Sequence, residues 1–128
     1  MSMKKKFEIE YPIRTSAKVL FPRLSNPGGL SEWFADNVTI EGQHTYIFFW
    51  DGGAGQKATQ SHIRENNLVR YEWIDDEEKT YFEFRLKTDE LTSELALIVT
   101  DFAEDDERES TIELWDSQIT RLKHTVGL

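Results

Sequence analysis

Apolar residues recur at helical spacing in the last part of the chain. They stand at i, i+3, i+7, i+10 and i+14, which places them on one stripe of a helix: Ile112, Trp115, Ile119, Leu122 and Val126. The pattern predicts one long amphipathic helix that begins near Asp105 or Asp106 and runs to the C-terminus. The segment Asp106-Glu107-Arg108-Glu109 has the spacing of a capping box, with Asp in place of Ser or Thr.

Ahead of this helix, apolar and polar residues alternate with the period of two that is typical of half-buried strands. The first strand is predicted over residues 5–11, and Pro12 is expected to end it. The further predicted strands are short and separated by turns: residues 38–40, 45–51, 56–64, 68–74, 81–88 and 95–102.

Between the first and second strands, the pattern predicts two short helices. Thr15-Ser16 can cap a helix over residues 17–24, which has Val19 on its expected inner side and which Pro22 shortens or kinks. A turn then leads into a second helix over residues 30–34.

These elements predict one α+β domain over residues 1–128. The long C-terminal helix would lie against one large antiparallel sheet of about six or seven strands, with the two short helices inserted between the first and second strands. One long helix laid against one large sheet is expected to leave an enclosed space between them instead of a flat, filled core. The arrangement therefore indicates a container, and a container indicates a ligand.

Composition narrows the function classes. The chain of 128 residues has no cysteine, which excludes disulfides, thiolate catalysis and cysteine-ligated zinc. Its net charge of -9 argues against nucleic acid and against anionic membrane surfaces. The basic start lacks the apolar segment of a signal peptide, and no apolar run approaches the roughly 20 residues of a membrane helix. We expect a soluble cytoplasmic protein.

No motif in the sequence identifies a catalytic group, a cofactor or a metal. The acidic segments 75–78 and 104–107 lack calcium-loop spacing, and glycine-rich residues 52–55 lack the features of a phosphate loop. His44 and His124 are expected at the surface. His62 lies on a strand that is polar where it should be half apolar, so Ala58, Gln60 and His62 could be inward points, although an edge strand exposed on both faces explains the polarity as well.

Aromatic residues are more numerous than a small core usually requires. Core filling is one explanation of this excess, and a lined cavity is an equally strong alternative, because buried Trp and Tyr need partners for their polar atoms. The predicted cavity residues are Trp33, Phe34, Phe48, Trp50, His62, Tyr71, Trp73, Phe82, Phe84, Trp115, Ile119 and Leu122.

Three segments of the chain resemble a known family. They are the helix pair with Asn26-Pro27-Gly28-Gly29 and Trp33-Phe34, the aromatic strand that ends in Trp50-Asp51-Gly52, and the closing helix with Leu114-Trp115. Together they resemble the START-like or Bet v 1-like (SRPBCC) superfamily, which implies a helix-grip, a curved antiparallel sheet that wraps around a long C-terminal helix. Within it, the chain is most similar to homologues of the activator of the heat-shock-protein-90 ATPase, in a compact bacterial branch.

Three alternative functions follow, the first from the container arrangement and its aromatic residues and the other two from the resemblance. The first is non-catalytic binding of a small hydrophobic or amphipathic ligand between sheet and helix. The second is a protein-interaction role like that of the ATPase activators, and the third is an enzyme of the cyclase or hydratase kind. Separately, the alternation of residues 45–51 places Ile47 and Phe49 on the outer face of the sheet, which predicts a weak homodimer through that face.

Overall fold

The computed structural model describes residues 3–128, which form a seven-stranded antiparallel sheet and three helices. In chain order the elements are β1 (Lys5–Ile13), α1 (Ala17–Ser25), α2 (Pro27–Leu30), β2 (Asn37–Glu41), β3 (Thr45–Phe49), β4 (Gln56–Arg64), β5 (Leu68–Trp73), β6 (Tyr81–Thr88), β7 (Leu95–Ala103) and α3 (Arg108–Thr125). The predicted α+β helix-grip is confirmed: two short helices follow the first strand, and a long helix closes the fold.

The strand order explains why two helices interrupt the strands. The sheet runs β1-β7-β6-β5-β4-β3-β2, so β2 to β7 form a meander while β1 pairs with β7. Strands β1 and β2 are therefore at opposite edges of the sheet. Helices α1 and α2 carry the chain from one edge to the other.

Two predicted boundaries near the start of the chain were wrong. Strand β1 continues through Pro12, which lies opposite Ala96, to Ile13. A proline is tolerated there because β1 is an edge strand, and one side of its backbone has no partner strand. The second helix spans Pro27–Leu30 rather than residues 30–34, with Pro27 in the first turn, where its missing N–H is not needed.

Helix α1 has the predicted N-cap, but the face that it buries differs from the predicted one. The Ser16 hydroxyl accepts a hydrogen bond from the Val19 backbone N–H at 3.2 Å. The side chains of Leu20, Phe21 and Leu24 are buried, whereas Val19 is 46% exposed and was wrongly expected inside.

Helix α3 begins at Arg108, later than predicted, and its N-cap is Glu107, so the expected capping box at Asp106 does not form. Its buried residues are Trp115, Gln118, Ile119 and Leu122, while the two ends of the predicted stripe are half-buried. Within residues 3–128, no helix is both long and apolar enough to cross a membrane.

Candidate ligand pocket beside the C-terminal helix

Nine of the twelve predicted cavity residues belong to the packed core, and they include Phe34, Phe82 and Trp115, which also border a pocket. Seven of these side chains are at most 1% exposed: Trp33, Phe48, Tyr71, Phe82, Phe84, Ile119 and Leu122. The rings are close neighbours, with centroids 5.8 Å apart for Phe48 and Tyr71 and 5.6 Å apart for Trp33 and Phe84. These side chains occupy the space between sheet and helix, and they back the wall of an adjacent pocket.

An open pocket of about 490 Å³ lies beside this core, against one side of α3. Five predicted residues line it: Phe34, Trp50, Trp73, Phe82 and Trp115. The other lining residues are Ala35, Asp36, Asp51, Asp101, Thr111, Leu114, Ser117, Gln118 and Arg121. The volume falls within the range of roughly 300–1,000 Å³ that is common for small-molecule sites.

One backbone carbonyl joins three parts of the pocket wall. The Phe34 oxygen accepts hydrogen bonds from Trp50 Nε1 at 2.8 Å and from Gln118 Nε2 at 3.0 Å. The loop before β2, the turn after β3 and helix α3 are thereby held together. The Phe34 ring also stacks on Phe82 and on Trp115, with centroids 4.9 and 5.7 Å apart. The aromatic wall is therefore rigidly supported.

Asp101 brings a carboxylate to the same pocket. Its Oδ2 accepts a hydrogen bond from Trp115 Nε1 at 2.8 Å, and its Oδ1 accepts one from the Phe102 backbone N–H at 2.8 Å. Burial raises the pKa of the Asp101 carboxyl, and these two hydrogen bonds and the positive charge of Lys4 offset that rise in part. The carboxylate has further lone pairs available for a ligand.

Two more aspartates, Asp36 and Asp51, lie in the loops next to Phe34 and Trp50. Asp36 Oδ2 accepts a hydrogen bond from the Asp51 backbone N–H at 2.7 Å, which joins the two loops. Both aspartates line the pocket.

The polar point on β4 is Gln60, while His62 lies outside. A register shift between Gln60 and His62 inserts one extra residue in β4, so Gln60 pairs with inward Tyr71 but His62 pairs with outward Arg70. The His62 side chain is 56% exposed and its Nδ1 lies 3.7 Å from Glu72. The expectation that His62 faces the cavity is therefore corrected, because the bulge reverses the alternation.

Gln60 itself serves the fold. Its Nε2 lies 3.0 Å from the Ser25 carbonyl oxygen and 3.2 Å from the Tyr71 hydroxyl. The Tyr71 hydroxyl donates to the Leu24 carbonyl at 2.7 Å, and the Tyr46 hydroxyl donates to that of Ser25 at 2.7 Å. This network satisfies carbonyl groups at the C-terminal end of α1, which have no partner within the helix. The polar character of β4 is thus explained structurally.

Sequence reasoning missed the pocket residues Asp36, Asp51, Asp101 and Gln118. Two of them could have been found: Asp101 continues the inward alternation of Leu97 and Val99, and Gln118 stands three residues after Trp115 on the helix stripe. Asp36 and Asp51 lie in irregular segments, where alternation has no predictive value.

An acidic cluster and a second pocket lie elsewhere in the structure. Carboxylate oxygens of Glu104, Asp106 and Glu107 lie within 4.8 Å of one another, but two of these residues are exposed, and we assign no metal to them. A pocket of about 590 Å³ lies at the other end of β7, lined by residues that include Ile13, Arg14 and Lys123. Its lining contains no aromatic residue.

Comparison with solved structures agrees with this fold. A Bacteroides fragilis protein with a solution NMR structure is 38% identical; the match covers 100% of this chain and 94% of that chain, with a TM-score of 0.68. Aha1 from Colwellia psychrerythraea, solved as a dimer, is 20% identical over 93% of each chain, with a TM-score of 0.77. A Mesorhizobium loti protein is 16% identical over 95% and 96% of the two chains, with a TM-score of 0.72.

None of the curated proteins matches the sequence significantly. A family model, however, matches residues 1–128, and it describes a START-like superfamily domain. Because that match spans the whole sequence, the chain belongs to the START-like superfamily.

Proposed function

We propose that this protein binds a small hydrophobic or amphipathic ligand in the pocket between its sheet and α3. The observation that carries the proposal is the aromatic wall, which includes Trp50, Trp73 and Trp115. An open concave surface of large apolar rings with a few placed polar groups is the usual composition of a ligand site. We also propose a cytoplasmic location, because a chain without cysteine fits a reducing compartment.

The hydrogen bonds that the indole N–H groups already make support the proposed ligand binding. Trp50 and Trp115 already donate to Phe34 and Asp101, so their rings are oriented before a ligand arrives. A preorganised wall loses little conformational entropy on binding. The pocket can therefore bind apolar surface without first rearranging.

The test uses the neutral apolar fluorophore N-phenyl-1-naphthylamine. We expect saturable binding with quenching of tryptophan fluorescence, because three of the four tryptophans line the pocket. Ser117→Phe places a ring into the pocket from an exposed position of α3 and should weaken binding about tenfold. Thr120→Phe, exposed on the same helix but outside the lining, is the matched control and should bind as the unmodified protein does.

Two results would overturn the proposal. One is the lack of saturable binding in protein whose circular dichroism shows it to be folded. The other is equal binding by the Ser117→Phe and Thr120→Phe variants. If binding is found, native mass spectrometry of protein purified from its host will identify the retained molecule.

A protein-interaction role is the main alternative, and an enzyme of the cyclase or hydratase kind is the other. The interaction role rests on the likeness to Aha1 and on the acidic surface with a net charge of -9. The interaction role requires no open pocket, so the Ser117→Phe variant, in which the pocket is filled, should keep the interaction. Turnover of a ligand identified by mass spectrometry would favour the enzyme.

Weak self-association through the outer sheet face is also proposed, with a second copy of the chain as the partner. Ile47 and Phe49 lie half-buried on that face, close to the backbone of Gly55, and Ile98 of β7 is likewise half-buried. The dimeric state of the Colwellia psychrerythraea structure supports this proposal.

A further inference from the structure

The charges around the pocket are unequal. Among its lining residues, Asp36, Asp51 and Asp101 are acidic, and Arg121 is the one basic side chain. Within residues 3–128, no lysine, arginine or histidine lies within ion-pair distance of any of these three carboxylates. The local field adds to that of a chain with a net charge of -9. The mouth of the pocket is therefore electronegative.

The aromatic wall also favours a positively charged ligand. Indole has the most electron-rich face among the protein side chains, and a cation placed over it is attracted by the ring quadrupole. Three indoles line this pocket: Trp50, Trp73 and Trp115. The Trp115 N–H donates to Asp101 within the plane of the ring, so this carboxylate lies at the edge of the aromatic wall, whose half-buried indoles are Trp50 and Trp73.

From this juxtaposition we infer that the ligand carries an organic cation, an amine or a quaternary ammonium group attached to an apolar body. The inference rests on the proposed binding function and names the chemistry of the ligand. The apolar body lies against Leu114, and the cationic group lies near the half-buried indoles of Trp50 and Trp73 and the carboxylate of Asp101. Arg121, exposed on α3, is expected to oppose the cation.

The experiment compares three probes of similar shape: phenyltrimethylammonium, its neutral carbon analogue tert-butylbenzene, and the anion benzenesulfonate. Calorimetry should show that the cation binds about tenfold more tightly than the neutral analogue and that the anion binds weakest. Because the quaternary ammonium group does not titrate, protonation of the probe cannot explain a difference.

Three variants locate the effect. Asp101→Asn keeps the shape and one of the two acceptor oxygens but removes the charge, so it should weaken the cation several-fold and leave tert-butylbenzene unchanged. Asp106→Asn removes the same charge from an exposed position outside the pocket and should change neither affinity. Arg121→Gln should tighten binding of the cation.

The outcomes separate this inference from the function on which it rests. If tert-butylbenzene binds as tightly as phenyltrimethylammonium, or if Asp101→Asn and Asp106→Asn behave alike, the cation inference is wrong while ligand binding stands. If N-phenyl-1-naphthylamine and all three probes fail to bind, the binding function itself is wrong, and the inference fails with it.

Discussion

At the scale of single residues, Asp101 departs most from what its strand would favour. It continues the inward face of β7 after Leu97 and Val99, a position where an apolar side chain would cost nothing in desolvation. The structure places it against Trp115 instead, and burial raises its pKa. A carboxylate in such a place is typical of a binding group rather than a stabilising one.

This gives a prediction for stability. The folded state raises the pKa of Asp101, so folding favours its protonated form, and ionised Asp101 lowers the free energy of unfolding above that pKa. Asp101→Asn should therefore be more stable than the unmodified protein at neutral pH. The difference should shrink as the pH falls through the folded and then the unfolded pKa, where Asp101 is protonated in both states.

Thermal melts at a series of pH values measure this difference. Asp106→Asn is the control for a change of net charge, since Asp106 is exposed. If Asp101→Asn lowers the melting temperature at neutral pH relative to this control, the loss of one of the two acceptor oxygens that Trp115 and Phe102 use outweighs the relief of desolvation, and the predicted stabilisation is wrong.

At the scale of elements, the pair α1 and α2 depends on one close approach. A Cβ added at Gly29 would lie 2.3 Å from the Pro22 carbonyl oxygen and 2.6 Å from the Arg23 Cα, both of which are backbone atoms. The Trp33 indole also donates to the Arg23 carbonyl at 2.8 Å across the same contact. Glycine at position 29 therefore lets the two helices meet and positions Phe34 at the pocket.

Substitution of this glycine should separate the helices. Gly29→Ala is expected to lower the free energy of unfolding by about 1–3 kcal/mol, the usual cost of overpacking. Gly28→Ala is the matched control, because a Cβ there meets no atom within 4 Å. Chemical denaturation measures both variants, and equal stability of the two would contradict a close contact at Gly29.

At the scale of the whole molecule, charge and the outer sheet face act against each other. The net charge of -9 repels like copies, whereas half-buried Ile47 and Phe49 offer apolar area to a partner. The outer face of β6 is charged, with Glu83 between Arg70 and Arg85. Any contact between copies is therefore expected to be weak and dependent on ionic strength.

Sedimentation velocity at low and high salt tests this self-association. Added salt should screen the repulsion and increase the dimer, and Phe49→Glu should abolish it. Val19→Glu makes the same change at an exposed position on α1 and should leave the dimer intact. A monomer at high protein concentration under both salt conditions would rule the proposal out.

The sequence by itself determined the kinds of element and their order, because alternation and helical spacing are local properties that each segment carries alone. The helix-grip was expected from the resemblance of three segments to the START-like superfamily. The sequence also identified Trp50, Trp73 and Trp115 as large rings in need of partners. Only the tertiary structure decided which rings form a packed core and which face an open pocket, since that depends on how the sheet curves around α3.

The same limit applies to the polar residues of the site. One extra residue in β4 turned His62 outward, and no local pattern predicts such a bulge, because it is defined by pairing with β5. Asp36, Asp51 and Asp101 come from three separate segments and meet only after β2, β3 and β7 take their places around α3. The chemistry of the pocket is thus a product of long-range packing, while the elements that hold it follow from local periodicity.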